Sequence, residues 1–196
     1  MYLIFDSSAN GRPKSYKAPL DDTFNWPRLL HLSWIVLNED LKPIEDYDCI
    51  IKPEGFTPTE AALKSHHIPK ESIDNSENEL KEVLKIFKES MDKCTYVFAH
   101  NLKYNEGIVG SEYYRKSMSS PLIAADKYCL MHEATYYCKL PGKRGYKWPT
   151  LQEMHSIIFK QGYTPSNHAR ADVIAASRCF IYLKKARAFE DIFFDD

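Results

Sequence analysis

A chain of 196 residues with 44% hydrophobic and 27% charged side chains has the size and balance of one ordinary globular domain, which excludes a disordered, collagen-like or coiled-coil protein. A formal net charge of -1 excludes a generally basic protein, so any nucleic-acid contact must come from a local patch. No apolar run approaches the roughly 20 residues that cross a bilayer, and the opening MYLIFDSS lacks the basic region and cleavage site of a secretion signal. The five cysteines form no C-x-x-C pair. The expectation is a cytoplasmic protein with reduced thiols and no membrane partner.

In chain order, apolar β-rich runs at 2–5, 29–37 and 47–51 predict three strands in a meander. Thr57-Pro58-Thr59-Glu60 predicts a short helix to about residue 65, opened by a capping threonine, a proline at the first helical position and an acid. Ser76-Glu77-Asn78-Glu79 reads as a capping box before Leu80, Val83, Leu84 and Phe87, whose spacing marks an amphipathic helix. Residues 95–99 predict a buried strand, 106–116 a helix and 122–125 another strand. A helix with Leu151, Met154, His155 and Ile158 follows Pro149, and a last long helix over 169–185 puts Val173, Ala176, Phe180 and Leu183 on one face. This order predicts an α/β domain over 1–187, a mixed sheet flanked by helices. Residues 188–196, acidic and aromatic, form a separable tail.

Three segments read as edges of an active site. FDSSANGRP (5–13) places Asp6 at the end of an apolar strand before a Gly-Arg-Pro turn. VFAHNLKYNE (97–106) follows a second strand, and NHARAD (167–172) opens the last helix. Each also has a purely structural reading: Asp6 as a strand-end cap, Asn105 as a helix N-cap, and Asp172 as a first-turn acid favoured by the helix dipole.

Together these segments resemble the DEDD-type (DEDDh) 3′-to-5′ exonucleases of the DNA polymerase III epsilon, or proofreading, class, which carry a ribonuclease-H-like fold. The resemblance spans roughly residues 1–185. It rests on FDSSANGRP, AHNLKYN and NHARAD in that order, supported by IVGSEYYR after the second motif and GYKWPTLQEMH before the third. It implies a sheet made of a three-stranded antiparallel meander plus parallel strands. It also implies Asp6 and Asp172 as retained catalytic acids, with Ser8 and Asn105 at two further acid positions. Asn167 falls where the family has the histidine that deprotonates the attacking water. Such enzymes hold two divalent ions with four carboxylates, and two carboxylates with neutral serine and asparagine oxygens leave that pair under-neutralised.

The expectation is therefore a nucleic-acid-binding pseudo-nuclease with a decayed two-metal site. Asp6 and Asp172 would hold at most one weak Mg²⁺ or Mn²⁺ ion, or none. His168 is a candidate base if its loop is flexible; if it is already helical, the one-residue shift turns its side chain about 100° away. Two rival readings stand beside this: a weak metal-dependent exonuclease using Asp6, Asp172 and His168, and a protein-interaction module on the same scaffold. The expected partner is single-stranded DNA or RNA. Lys143, Arg144, Tyr146 and Lys147, in an acid-free run over 134–152 with Lys139 and Trp148, are candidates to hold it, as are His100 and Asn101. The same run also reads as a surface loop with Trp148 tucked into the core. The acidic tail is a candidate docking peptide for a protein partner.

Overall fold

A run of apolar residues makes β1 (Tyr2–Ala9) a strand that needs cover on both faces, and it lies at the middle of a five-stranded sheet. The computed structural model describes residues 1–193. β2 (Leu29–Leu37) pairs antiparallel with β1, and β3 (Pro43–Ile50) antiparallel with β2, which is the predicted meander. On the other side β4 (Tyr96–Ala99) and β5 (Asp126–Cys129) run parallel, giving the order β3-β2-β1-β4-β5. Before β4 come α1 (Glu60–Ser65), α2 (Lys70–Asp74) and α3 (Leu80–Met91); α4 (Leu102–Arg115) joins β4 to β5. After β5 come α5 (Leu130–Glu133), α6 (Thr135–Cys138), a small hairpin of β6 (Pro141–Gly142) and β7 (Gly145–Tyr146), then α7 (Leu151–Phe159), α8 (Ala169–Lys185) and α9 (Glu190–Phe193). No helix among the described residues is long and apolar enough to cross a membrane, and all five cysteines are free thiols.

Alternation along β1 sorts the core into two layers. Leu3 and Phe5 pack with Trp34, Phe87, Val109 and Tyr113 beneath α3 and α4. Tyr2 and Ile4 pack with Phe98, Met154, Phe180 and Leu183 beneath α7 and α8. Continued past the apolar residues, the same period points Asp6 and Ser8 toward α8 and Ser7 toward α4. α4 lies close on its layer because Gly107 leaves room for the buried Trp26: a Cβ there would stand 2.2 Å from the indole ring.

Several boundaries differ from the sequence expectation. β1 runs on to Ala9, because Asp6, Ser7 and Ser8 stay in register with Ser33, Leu32 and His31 of β2. α4 begins at Leu102 rather than 106, after Asn101 in the left-handed conformation (φ 55°). The strand expected over 122–125 is a 3₁₀ turn at Pro121–Ile123, where proline fixes φ and supplies no N–H; the strand lies at Asp126–Cys129. Ser76 does not cap α3. Its hydroxyl donates to Ile50 O instead, tying the loop to β3, and Glu79 at the N-cap position makes no capping bond, its carboxylate accepting from Lys52. The cap of α1 is Thr59, two residues after the expected Thr57, accepting from Ala62 N at 3.2 Å. The start of α7 carries a capping box, Thr150 with Glu153. Of the predicted tail, Phe189 is buried and Phe193 meets Tyr2 and Tyr96 edge-on under the Lys184 ammonium, since these rings bury apolar area on the α8 layer. Its last three residues, 194–196, lie outside the described residues.

Candidate functional site

The ends of β1 and β4, α1, the starts of α4 and α8 and the segments leading into α7 and α8 line a cleft of about 820 Å³. Asp6, Asn105, Asn167 and Asp172 line it together with His100 and Asn101, so the three sequence motifs do converge.

Asn105 is the centre of the β1 side. Beyond Ile4, β1 has outrun its parallel neighbour β4, which leaves the Ser7 N–H without a strand partner. Asn105, inside the first turns of α4 and 1% exposed, fills that place. Its Oδ1 accepts from Ser7 N at 2.7 Å and from Ser7 Oγ at 2.6 Å. Its Nδ2 donates to Asp6 Oδ1 at 3.0 Å and to His100 O at 2.9 Å. A backbone N–H can only donate, so Ser7 N fixes which end of the amide is oxygen. Asn105 is thus not a helix N-cap but a fully engaged bridge between the first two motifs.

The two carboxyls face one another's charge. Burial, and then the neighbouring Asp172, push Asp6 well above the ordinary carboxylate range, against the Asn105 hydrogen bond. Burial pushes Asp172 up to about 6, although the Tyr163 hydroxyl donates to its Oδ1 at 2.7 Å. Burial, followed by Asp172, in turn raises Tyr163.

Ser8 is fully buried and turned to α8, where its Oγ accepts from Ala169 N at 3.2 Å and satisfies one of the helix's free amides. Asn167, in the left-handed region (φ 63°), lines the cleft, and its carbonyl accepts from His66 Nδ1 at 2.7 Å. His168 is not among the cleft residues. It occupies the N-cap position of α8, and its ring meets His31 edge-on at 4.9 Å, with Nδ1 buried and unpartnered. Burial and His31 push its pKa down. His31 in turn bonds Asp48 through Nε2 at 2.6 Å. His100 donates from Nε2 to Pro149 O at 3.0 Å, holding the segment before α7 against the cleft; burial pushes it down to about 4, so it is neutral. Asn101 supplies the left-handed entry to α4.

Lys143 and Arg144 are exposed at the tip of the β6–β7 hairpin, with Tyr146 on β7; Lys147 pairs with Glu153. Trp148 is not tucked into the core: it is 60% exposed, against a side of His132 at 4.4 Å, and it lines the cleft. Sequence reasoning passed over four further lining residues, Arg12, Tyr16, Tyr104 and Tyr163. Arg12 and Tyr104 sit inside the quoted motifs and were within reach, whereas no spacing marks Tyr16 or Tyr163.

The donor set does not fit a pair of divalent cations. Ser8 Oγ is committed to α8, both acceptor positions of Asn105 are taken by Ser7, and the amide end aimed at Asp6 carries hydrogens. Two carboxylates remain, Asp6 and Asp172. Among the described residues, no group of three or more His, Cys, Asp or Glu converges as a metal site. The cleft presents hydrogen-bonding groups and the exposed Trp148 ring to a ligand.

No family model and no curated protein matches the chain in sequence. Solved structures match its fold. Exonuclease X in complex with 5′-overhanging duplex DNA is 12% identical over 95% of this chain and 93% of that one, with a TM-score of 0.63. The nuclease domain of 3′hExo, a DEDDh family member bound to rAMP, is 12% identical over 94% and 92%, at 0.71. E. coli exonuclease I in complex with a dA16 oligonucleotide is 18% identical over 98% of this chain, at 0.69; the chain spans 43% of that protein. The fold is the ribonuclease-H-like fold of these exonucleases.

Proposed function

We propose that the protein is a nucleic-acid-binding member of the DEDDh 3′-to-5′ exonuclease family, of the proofreading type, that holds single-stranded DNA or RNA with little or no hydrolysis. The observation that carries this reading is Asn105. Its amide, saturated by Ser7, Asp6 and His100, stands where the resemblance calls for a metal-binding acid. Support for the binding half comes from the cleft, from the exposed Lys143 and Arg144 on the β6–β7 hairpin, and from neighbours of the same fold in complex with DNA and with rAMP. In this reading Lys143, Arg144, Tyr146 and Lys147 contact the strand outside the cleft, and His100 and Asn101 shape the wall that receives its end. Asp6 and Asp172 hold at most one weak Mg²⁺ or Mn²⁺ ion. His168 is not given the role of base, since it lies against His31. A protein partner on the tail is no part of the reading, because Phe189 and Phe193 pack on the core. A cytoplasmic location fits the five free thiols.

Incubation of labelled single-stranded DNA and RNA with the protein in Mg²⁺ and in Mn²⁺, beside Asp6→Ala, tests both halves. Retention without shortening is expected. Charge reversal at Lys143 and Arg144 should weaken retention and lower the salt slope by about 1.4 for two lost single-strand phosphate contacts. Shortening that disappears in Asp6→Ala overturns the inactive half, and no retention at low salt overturns the binding half.

A further inference from the structure

Large aromatic rings are costly to leave in water, and this chain buries most of its own: Trp26 is 2% exposed and Trp34 is 0%. Several rings depart from that pattern, and three of them lie within residues 136–148, on α6, on β7 and just past it. Tyr136 is 78% exposed, Trp148 60% and Tyr146 47%. They are held in fixed relation. Tyr136 on α6 and Tyr146 on β7 stand edge to face, with centroids 6.1 Å apart at 89°, and Trp148 is backed by His132. β6 and β7 pair through Pro141–Tyr146 and Gly142–Gly145, and the bond from His100 to Pro149 pins the chain just beyond Trp148. Trp148, two residues past Tyr146, also lines the cleft.

Charge selects the occupant. Residues 134–152 contain no acid, while Lys139, Lys143 and Arg144 are exposed among the rings. Cations interleaved with open aromatic faces match a phosphate backbone carrying unpaired bases. In a duplex those base faces are already stacked on one another and gain nothing from the rings.

We infer that Tyr136, Tyr146 and Trp148 form a stacking platform for an unpaired strand, extending the cleft along the hairpin. This rests on the proposed single-strand binding and adds to it the rings that stack on the bases and the path the strand takes. Trp148 is the one exposed tryptophan of the three, so a ligand on the platform acts on its share of the intrinsic emission and leaves that of the buried Trp26 and Trp34.

The test follows tryptophan emission and the anisotropy of a labelled strand together, titrating the intact protein with short oligo-dT, oligo-rU and a blunt duplex at low salt. Single strands are expected to quench emission saturably, in step with anisotropy, and the duplex to do so far less. Tyr136→Ala and Tyr146→Ala should each raise Kd by roughly 5-fold or more, the equivalent of one lost stacked base, with an unchanged melting temperature. A strand that binds by anisotropy while emission and the Kd of both tyrosine variants stay unchanged overturns the platform and leaves the binding reading intact. Equal quenching by the duplex also overturns it. Emission that shifts with protein concentration alone assigns the face to a second copy of the chain, which overturns it as well. Absence of any binding by anisotropy removes the underlying reading, and the platform with it.

Discussion

On the α4 side of the cleft both polar atoms of Asn105 are engaged at full capacity, whereas on the α8 side His31 and His168 each bury an Nδ1 with no partner. The α4 side is organised by a neutral amide, which protons and cations near neutral pH leave untouched. The α8 side is organised by titratable groups: Asp172 against Tyr163, and His168 against the His31–Asp48 pair. Rigidity therefore comes from the α4 side and sensitivity to pH from the α8 side, where Asp172 lines the cleft and the His168–His31 contact lies outside it, with Asp6 between the two sides.

The largest expected effect breaks the rigid wall. Asn105→Ala strands the Ser7 amide and Asp6 in a buried setting, and urea unfolding should show a loss of about 3 kcal/mol. A loss below about 1 kcal/mol would mean those groups find other partners and the two walls are alike. Next is the pH response of the α8 wall. Asp172 is pushed from its ordinary range to about 6, so the native state binds its proton more tightly than the unfolded chain does. That group's contribution then worsens as pH rises from about 4 to about 6 and stays unfavourable above. His66, His100 and His168, pushed down mainly by burial, contribute with the opposite sign, losing stability as pH falls below their ordinary value. The difference between wild type and Asp172→Asn reports this carboxyl together with the relief of Asp6, which Asp172 holds up and which acts in the same direction. Relative to wild type, the variant should be more stable at pH 7.5 than at pH 5 by about 1 kcal/mol, and a flat difference across that window would contradict the assignment. The smallest effect is at Ser8. Removing its hydroxyl in Ser8→Ala frees the Ala169 amide, and thermal melting should register a loss of about 1 kcal/mol, the usual size for a lost helix cap. An unchanged melt would show that the helix start is held by other means.

How much of this was legible in the sequence depended on how local the cause was. The apolar runs of β1 and β2, the spacing in α3 and the bounds of α8 are set by neighbours in the chain and were read directly. The two acids were found because the motifs resemble those of a family, and the cleft does bring them together. Asn105 shows where reading stopped. Its local context offers a helix cap, but its decisive partners, Ser7 and Asp6, lie about a hundred positions away, and only the end of β4 makes room for it. Ser8 likewise meets Ala169 across the sheet. The hairpin escaped because two-residue strands are too short to show a period, and exposure of Trp148 has no sequence signature.

Gly107 gives this geometry an unexpected dependence. It lies two positions past Asn105 on α4, and its bare Cα is what lets the helix settle onto Trp26. Hydrogen bonds of 2.6 to 3.0 Å tolerate little separation, so how far α4 stands off the sheet decides whether the amide spans the gap to β1 at all. The fit of the cleft is thus calibrated from behind, by a missing methyl group that no ligand would ever touch.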